Sequence, residues 1–162
     1  MSRQGLSRVE AGYLRAITFV AFATLAACKP PAAAAELTVT QVWTRLPVVA
    51  GRPASAYFVI QGGAATARLV AVTSPRAKRI ELHEGGMSGN MTTMRPMTGI
   101  EVPARGHVAF APGGNHAMIF GLDPAVASGK RLPLRFRFSD GHSIGVDAQV
   151  IAPNAPAPQD RP

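Results

Sequence analysis

Cysteine is almost absent from this chain of 162 residues, in which Cys28 is the only one. It lies in the N-terminal region, ahead of the strand-like part of the sequence. If Cys28 is lipidated or removed, no thiolate remains for metal binding or nucleophilic catalysis. The scarcity is in keeping with an oxidising compartment, where a free thiol is a liability.

Aromatic residues are also scarce, at 6%, whereas the hydrophobic content of 47% is normal for a packed core. The 16 glycines and 14 prolines are many for this length. They predict frequent turns, and hence short strands rather than long helices. The length leaves room for one domain of ordinary size.

Acidic residues are few, and the formal net charge is +8. Four of the 17 basic residues fall in the first 35 positions, against one acidic residue. The other basic residues are scattered, and the longest basic cluster is at 76–79. We interpret them as a solvated surface with no nucleic-acid partner; mild attraction to an anionic membrane surface is an open alternative.

The N-terminus has the pattern of an export signal. Three arginines in residues 1–15 precede an uncharged, mostly apolar run at 16–27, which is too short to span a bilayer and is typical of a secretory signal. The run leads into Leu-Ala-Ala-Cys at 25–28, which resembles the lipobox of bacterial lipoproteins. The resemblance implies a lipoprotein-type signal peptide over 1–27 and a lipid anchor on Cys28 as the only membrane attachment.

An ordinary export signal is the alternative, because Ala33–Ala35 forms an A-x-A site just before Glu36. Both alternatives export the protein, so we expect the folded domain in the periplasm. We expect a tether at 28–36, the folded domain at 37–151, and a disordered tail at 152–162, which is rich in proline and alanine.

Short apolar runs fill the region between tether and tail. They lie at residues 37–43, 55–61, 68–74, 79–84, 99–102, 107–110 and 116–120. The clearest signal is a hairpin, in which apolar residues alternate through 131–139 and again through 144–150, with Asp140-Gly141 at the turn. Pro133 indicates an edge position or a strand start.

About eight short antiparallel strands predict an all-β fold, a β-sandwich with Greek-key connections in a single domain. Residues 85–98 are expected to be loop-rich, since Gly, Ser, Asn and Thr are frequent there. Only residues 123–129 could hold a helical turn, with Asp123 as its cap.

Histidine and methionine are concentrated in one part of the chain. Three of the four histidines and five of the six methionines fall between residues 83 and 118. Core methionines fill gaps in hydrophobic clusters, whereas most of these lie among Gly, Ser, Asn and Thr. Imidazole with thioether favours Cu(I) over zinc or hard cations, because neutral, polarisable sulfur prefers a soft ion.

A glycine turn at 113–114 precedes His116 and Met118. If 116–120 is a strand, these two side chains share one face, because side chains alternate along a strand. Taken alone, the pair fits a core strand as well as a metal site.

One spacing unites the candidates: H-x10-M-x21-H-x-M, formed by His83, Met94, His116 and Met118. It resembles the signature of the periplasmic Cu(I) chaperone family called PCuAC. Flanking stretches that also resemble this family lie at 42–45, 54–58, 82–84, 94–96, 100–106 and 112–122. The likeness covers residues 37–151.

The resemblance implies a cupredoxin-like β-sandwich that binds one Cu(I) near its surface through His83, Met94, His116 and Met118. It further implies a carrier, not an enzyme, that hands copper to the binuclear copper centre of a haem-copper (cytochrome c) oxidase, alongside a Sco-type partner. We expect a monomer. Some family members hold a second copper in a His/Met-rich tail, but residues 152–162 contain neither residue, so no second site is expected.

Other histidines and methionines have plainer interpretations. Met91 is a competing thioether, and Met94 ranks first because of the spacing and the Arg95-Pro96 that follows. Met87 and Met97 are interpreted as loop or packing residues, and His107 and His142 as solvent-facing. Trp43 and Tyr57 are expected in the core. Glu84 adjoins a predicted ligand but has no acid partner or nucleophile, so it is interpreted as supporting His83 or facing solvent.

Three alternative functions stay open at this point. The first is periplasmic copper storage or tolerance. The second is blue-copper electron transfer. Such a centre needs a cysteine thiolate, and residues 37–151 contain no cysteine, so the composition disfavours this function. The third is a surface lipoprotein that uses the sandwich for partner contact and binds no metal.

Overall fold

The computed structural model describes residues 35–88 and 91–159. The described residues all belong to one compact unit, residues 33–162. The predicted signal peptide and Cys28 lie outside the described residues. No helix in the described part of the chain is long and apolar enough to cross a membrane.

Ten strands and no helix make up the described residues. The strands are β1 (Thr38–Arg45), β2 (Ala54–Gln61), β3 (Ala67–Thr73), β4 (Ala77–Ser88), β5 (Met91–Met97), β6 (Ile100–Val102), β7 (His107–Phe110), β8 (His116–Leu122), β9 (Arg131–Phe138) and β10 (Ser143–Ile151). They form one sheet in the order β5-β4-β8-β2-β1-β10-β9-β3-β6, with β7 also paired to β2. All pairs are antiparallel except β1 with β10. The all-β prediction is confirmed.

The core forms where the sheet folds back on itself. Every second residue of β9 is buried, as the alternation of apolar residues predicts. Phe58 of β2 meets Phe136 of β9 edge to face, with ring centroids 4.8 Å apart, and stacks on Phe110 at 4.2 Å. Since β2 and β9 are not neighbours in the sheet, this contact joins the two layers. Each buried aromatic or aliphatic side chain contributes about 1.5–3 kcal/mol.

The segment predicted to be loop-rich is instead a β-hairpin, and this correction matters for the site. β4 continues to Ser88, and β5 pairs along it from Met91–Ser88 to Met97–Leu82. Backbone pairing, which needs no strand-forming side chains, outweighs the weak β propensity of Gly, Ser and Asn here. Gly85 lies within β4 rather than in a turn, and its lack of a side chain allows close packing against Gly114.

Two local predictions have clear outcomes. The pairing of β9 with β3 ends at Arg135, and Pro133 lies beyond that point. On this side of β9 the described part of the chain has no neighbouring strand at Pro133, so the missing N–H of the proline removes no hydrogen bond from the sheet. Residues 123–129 form hydrogen-bonded turns rather than a helix, with Val126 N donating to Asp123 O at 2.9 Å. The Asp123 carboxylate accepts a further bond from Ala125 N at 2.8 Å.

Arg45, the last residue of β1, connects the sandwich to the segment after β10. Its Nη1 donates to the carbonyls of Pro153 and Ala155 at 2.8 and 2.6 Å. Its guanidinium also lies 5.2 Å from the centre of the Trp43 ring. The first residues after β10 therefore contact the end of β1.

Candidate metal centre

Strand β8 presents His116 and Met118 on one face. The alternate residues, Ala117 and Ile119, are fully buried on the other face, against the core. The predicted strand alternation is therefore present, and it directs the imidazole and the thioether away from the core.

Strand β4 brings a second histidine to the same face. In the antiparallel register of β4 with β8, His83 lies directly opposite His116, and Glu81 lies opposite Met118. Directly opposed residues share a face of the sheet. The two imidazole rings have centroids 5.7 Å apart and planes inclined by 23°. Two histidines distant in sequence thus form one cross-strand pair.

Strand β5 adds a methionine. Met94 lies opposite Gly85, which is two residues from His83, so Met94 is on the face of the two histidines. Its side chain is 56% exposed. Met91 is three residues earlier on the same strand, so alternation directs it to the opposite face, where it is 72% exposed. The register therefore favours Met94 over Met91 as a partner of the histidines.

A shallow depression of about 220 Å³ opens beside these side chains. It is lined by Ser55, Tyr57, Gly85, Met94, Gly113, Gly114 and His116. Tyr57 lies on the outer face of β2, half-buried, and its ring centroid is 4.3 Å from that of Trp43. Trp43 is buried as predicted, whereas Tyr57 borders the site rather than the core.

The turn between β7 and β8 fixes one histidine ring. Ala111 N donates to Asn115 O at 2.8 Å, and Gly114 N donates to Ala111 O at 3.0 Å. The carbonyl of Gly114 accepts a hydrogen bond from Nδ1 of His116 at 2.9 Å. Because a carbonyl cannot donate, Nδ1 carries the proton, and Nε2 of the neutral ring is the nitrogen with a lone pair.

His83 has a different environment. Its side chain is 13% exposed, and its Nε2 lies 3.3 Å from Oε2 of Glu81. Its Nδ1 is buried and has no hydrogen-bond partner among the described residues. A buried polar atom without a hydrogen-bond partner destabilises the folded state by about 1–3 kcal/mol. A ligand bound at this nitrogen would offset that loss.

Charge near the site comes from Glu81. Arg79 Nε donates to Glu81 Oε1 at 2.8 Å. This hydrogen bond, together with the one from His83, holds the pKa of the Glu81 carboxyl below its usual range. Glu81 is therefore ionised at neutral pH and accepts both hydrogen bonds.

The donor set determines which metal the site can hold. Across residues 35–88 and 91–159, no group of three His, Cys, Asp or Glu side chains is placed to bind a metal ion. On the face of the histidine pair, the register places Met94 and Met118 beside it and Met87 four residues further along β4 from His83. Two imidazoles and two thioethers are all neutral, and the thioethers are soft, so this donor set suits Cu(I) better than zinc or a hard cation.

Sequence reasoning missed Glu81 and was wrong to place Tyr57 in the core, since Tyr57 lines the depression with His116. The signal available for Glu81 was its position two residues before His83, because residues two apart on a strand have their side chains on the same face. Glu84, which the sequence singles out, lies on the opposite face, exposed and 3.2 Å from Arg95. His107 and His142 are exposed, as predicted.

Comparison with known proteins assigns the chain to a family. The model described as "Putative lipoprotein LpqE-like" matches residues 37–150. The chain belongs to this LpqE-like family. The "Putative lipoprotein Lxx21020" of Leifsonia xyli subsp. xyli is 33% identical over 115 residues, which are 69% of this chain and 68% of that protein. Both names describe lipoproteins, in line with an exported, lipid-anchored protein.

Solved structures share the fold. The copper-bound PCuAC domain from PmoF2 has a TM-score of 0.61 at 21% identity and covers 75% of this chain and 97% of that domain. CuI-DR1885 from Deinococcus radiodurans has a TM-score of 0.51 at 27% identity, covering 77% and 83%. The cupredoxin-like fold is confirmed, and these likenesses support a PCuAC-type family. The matched family and these relatives are described as lipoproteins and copper-binding domains rather than as enzymes, in line with the expectation of a carrier.

Proposed function

We propose that this LpqE-like protein is an exported copper carrier that binds one Cu(I) through His83, Met94, His116 and Met118. The observation that carries the proposal is the directly opposed pair of His83 and His116, on the face of the sheet that also presents both methionines. The buried, unpartnered Nδ1 of His83 supports a ligand at this point. The copper-bound PCuAC domain from PmoF2 and CuI-DR1885 support copper as that ligand.

The proposed donors support Cu(I) as the oxidation state. Two neutral imidazoles and two thioethers stabilise a soft monovalent ion, and they offer no thiolate or carboxylate charge to Cu(II). The position of the site suits a carrier. Met94 is more than half exposed, and the depression beside it opens to solvent, so a receiving protein can approach the ion.

Binding is tested by titrating the apo-protein with Cu(I) against a chromogenic chelator. The wild type is expected to compete for one equivalent of Cu(I), and His83→Ala and Met118→Ala are expected to lose at least about tenfold in affinity. His107→Ala, an exposed histidine elsewhere in the sheet, is the matched control and keeps the wild-type affinity. Failure of the wild type to compete, or equal affinity in all variants, contradicts the proposal.

The receiving protein in this proposal is the copper subunit of a haem-copper oxidase, with a Sco-type protein as a further partner. The resemblance of the sequence to PCuAC chaperones supports this step. Deletion of the gene is expected to lower oxidase activity at low copper, with rescue when copper is added. Unchanged oxidase activity together with greater copper sensitivity would instead indicate storage or tolerance.

The anchor is the remaining part of the proposal. Cys28 lies outside the described residues, and membership of a lipoprotein family supports its acylation. Cys28→Ser is expected to move the protein from the membrane fraction to the soluble fraction and to abolish incorporation of a labelled fatty acid. Cleavage at the A-x-A site before Glu36 predicts instead that the wild type is soluble and carries no label.

A further inference from the structure

Glu81 connects two side chains on the metal-site face of β4. Residues 79, 81 and 83 alternate along the strand, so their side chains share this face. The Glu81 carboxylate accepts from Arg79 Nε through Oε1 at 2.8 Å, and its Oε2 lies 3.3 Å from Nε2 of His83. Each oxygen therefore has its own partner.

Arg79 is itself held in place. It lies opposite Phe120 in the register of β4 with β8, and its guanidinium is 4.0 Å from the centre of the Phe120 ring. A guanidinium stacked on an aromatic ring is attracted by the electron-rich face of the ring. The stacked arginine restricts the Glu81 carboxylate, which in turn contacts His83.

The donor and the acceptor of the hydrogen bond between His83 and Glu81 can be assigned. An ionised carboxylate only accepts hydrogen bonds, so Nε2 of His83 is the donor. In a neutral imidazole with a proton on Nε2, the lone pair is on Nδ1. That nitrogen is the buried atom of His83 with no hydrogen-bond partner in the described part of the chain.

His116, across the strand pair, has the opposite arrangement. Its Nδ1 donates to the Gly114 carbonyl at 2.9 Å, which leaves the lone pair on Nε2. The two facing rings are thus set by two acceptors from different parts of the fold, a side-chain carboxylate and a backbone carbonyl. Their available nitrogens differ.

We propose that Glu81 is a positioning residue that holds His83 as the Nε2–H tautomer, so that the two histidines offer unlike nitrogens to the metal, Nδ1 of His83 and Nε2 of His116. The metal-binding part rests on the proposed function. The tautomer of His83 does not, since the hydrogen bond is made without a metal. Glu81 acts through His83 and is not itself a ligand.

The test is the tautomeric state of each histidine in the apo-protein, read from two-bond ¹H–¹⁵N correlations at about pH 8, where free imidazole is neutral. The wild type is expected to show the Nε2–H pattern for His83 and the Nδ1–H pattern for His116. In Glu81→Ala, His83 is expected to shift to a mixture of tautomers, whereas His116 keeps its pattern. An Nδ1–H pattern for His83 in the wild type, or no change in Glu81→Ala, overturns the inference.

Glu84→Ala is the matched control, because Glu84 is the neighbouring glutamate of β4, lies on the opposite face and pairs with Arg95. It is expected to leave both tautomers unchanged. Glu81→Gln is the second variant and keeps the shape of the side chain. Its amide can accept from or donate to the ring, so the preference of His83 is expected to weaken rather than disappear. The backbone spectrum of each variant shows that it is folded.

Copper affinity gives the second readout. Loss of a residue that orients a metal-ligating histidine weakens binding by about 10–100-fold, so Glu81→Ala is expected to fall in this range while Glu84→Ala stays at the wild-type value. If the wild type binds Cu(I) and Glu81→Ala binds it equally well, the inference fails and the proposed function stands. If the wild type binds no Cu(I), the proposed function fails, and the tautomer measurement still decides the role of Glu81.

Discussion

Gly85 of β4 and Gly114 of the turn before β8 pack backbone against backbone, so closely that a Cβ atom on Gly85 would overlap the carbonyl oxygen of Gly114. The same carbonyl accepts the hydrogen bond from Nδ1 of His116. The orientation of this histidine therefore depends on the absence of a side chain on a neighbouring strand.

Gly85→Ala is accordingly expected to displace the Gly114 carbonyl and release the His116 ring. Cu(I) affinity falls about tenfold, because the hydrogen bond that orients the ring is weakened. The matched control is Gly86→Ala, since a Cβ there meets only Thr93 Oγ1 at 3.4 Å. Chelator competition on both variants checks the prediction, and wild-type affinity in Gly85→Ala would refute it.

The two faces of β5 give a second prediction. Met94→Leu keeps the volume of the side chain and removes the sulfur on the face of the histidines, so Cu(I) affinity is expected to fall by at least about tenfold. Met91→Leu makes the same change on the opposite face and is expected to bind as the wild type does. The reverse ranking, measured by the same competition, would make Met91 the ligand.

A third prediction concerns stability. Thr44 is fully buried in β1, and its hydroxyl has no hydrogen-bond partner among the described residues. Thr44→Val keeps the shape and removes the unpaired polar atom, so the free energy of unfolding is expected to rise by about 1 kcal/mol. Thr40→Val, at an exposed position of the same strand, is the control and changes little. Denaturant unfolding measures both, and a less stable Thr44→Val would show that the hydroxyl is satisfied.

Ligand linkage gives a fourth prediction. An ion that binds only the folded state stabilises it by about 2.7 kcal/mol when its free concentration is 100 times the Kd. Cu(I) under reducing conditions is therefore expected to raise Tm by several degrees, and a chelator to reverse the shift. The double variant His83→Ala/Met118→Ala is expected to show no shift. An equal rise of Tm in that variant would place the copper elsewhere.

The alternating patterns in the sequence were sufficient to predict the local part of this structure. The shared face of His116 and Met118, and the buried row of β9, follow from the period of two along a strand. The spacing of histidines and methionines, through its resemblance to PCuAC chaperones, selected the four residues that the fold places on one face.

The non-local part could not be read in the same way. Nothing near His83 specifies that it faces His116, because register between distant strands is set by packing of the whole sheet. The hairpin of β4 and β5 was mistaken for a loop because Gly85 and its neighbours have weak β propensity. Glu81 was missed for a related reason: its contact with His83 depends on Arg79, and Arg79 is held by Phe120 on another strand.

Strand β5 is at the end of the sheet order, with β4 as its one neighbour in the described residues. The strands that carry His83, His116 and Met118 are each paired on both sides, so moving any of them breaks two ladders. Moving β5, the strand that carries Met94, breaks only its ladder with β4. In the proposed copper site, Met94 is therefore the ligand that can move with the smallest loss of backbone pairing, ahead of the three ligands on β4 and β8.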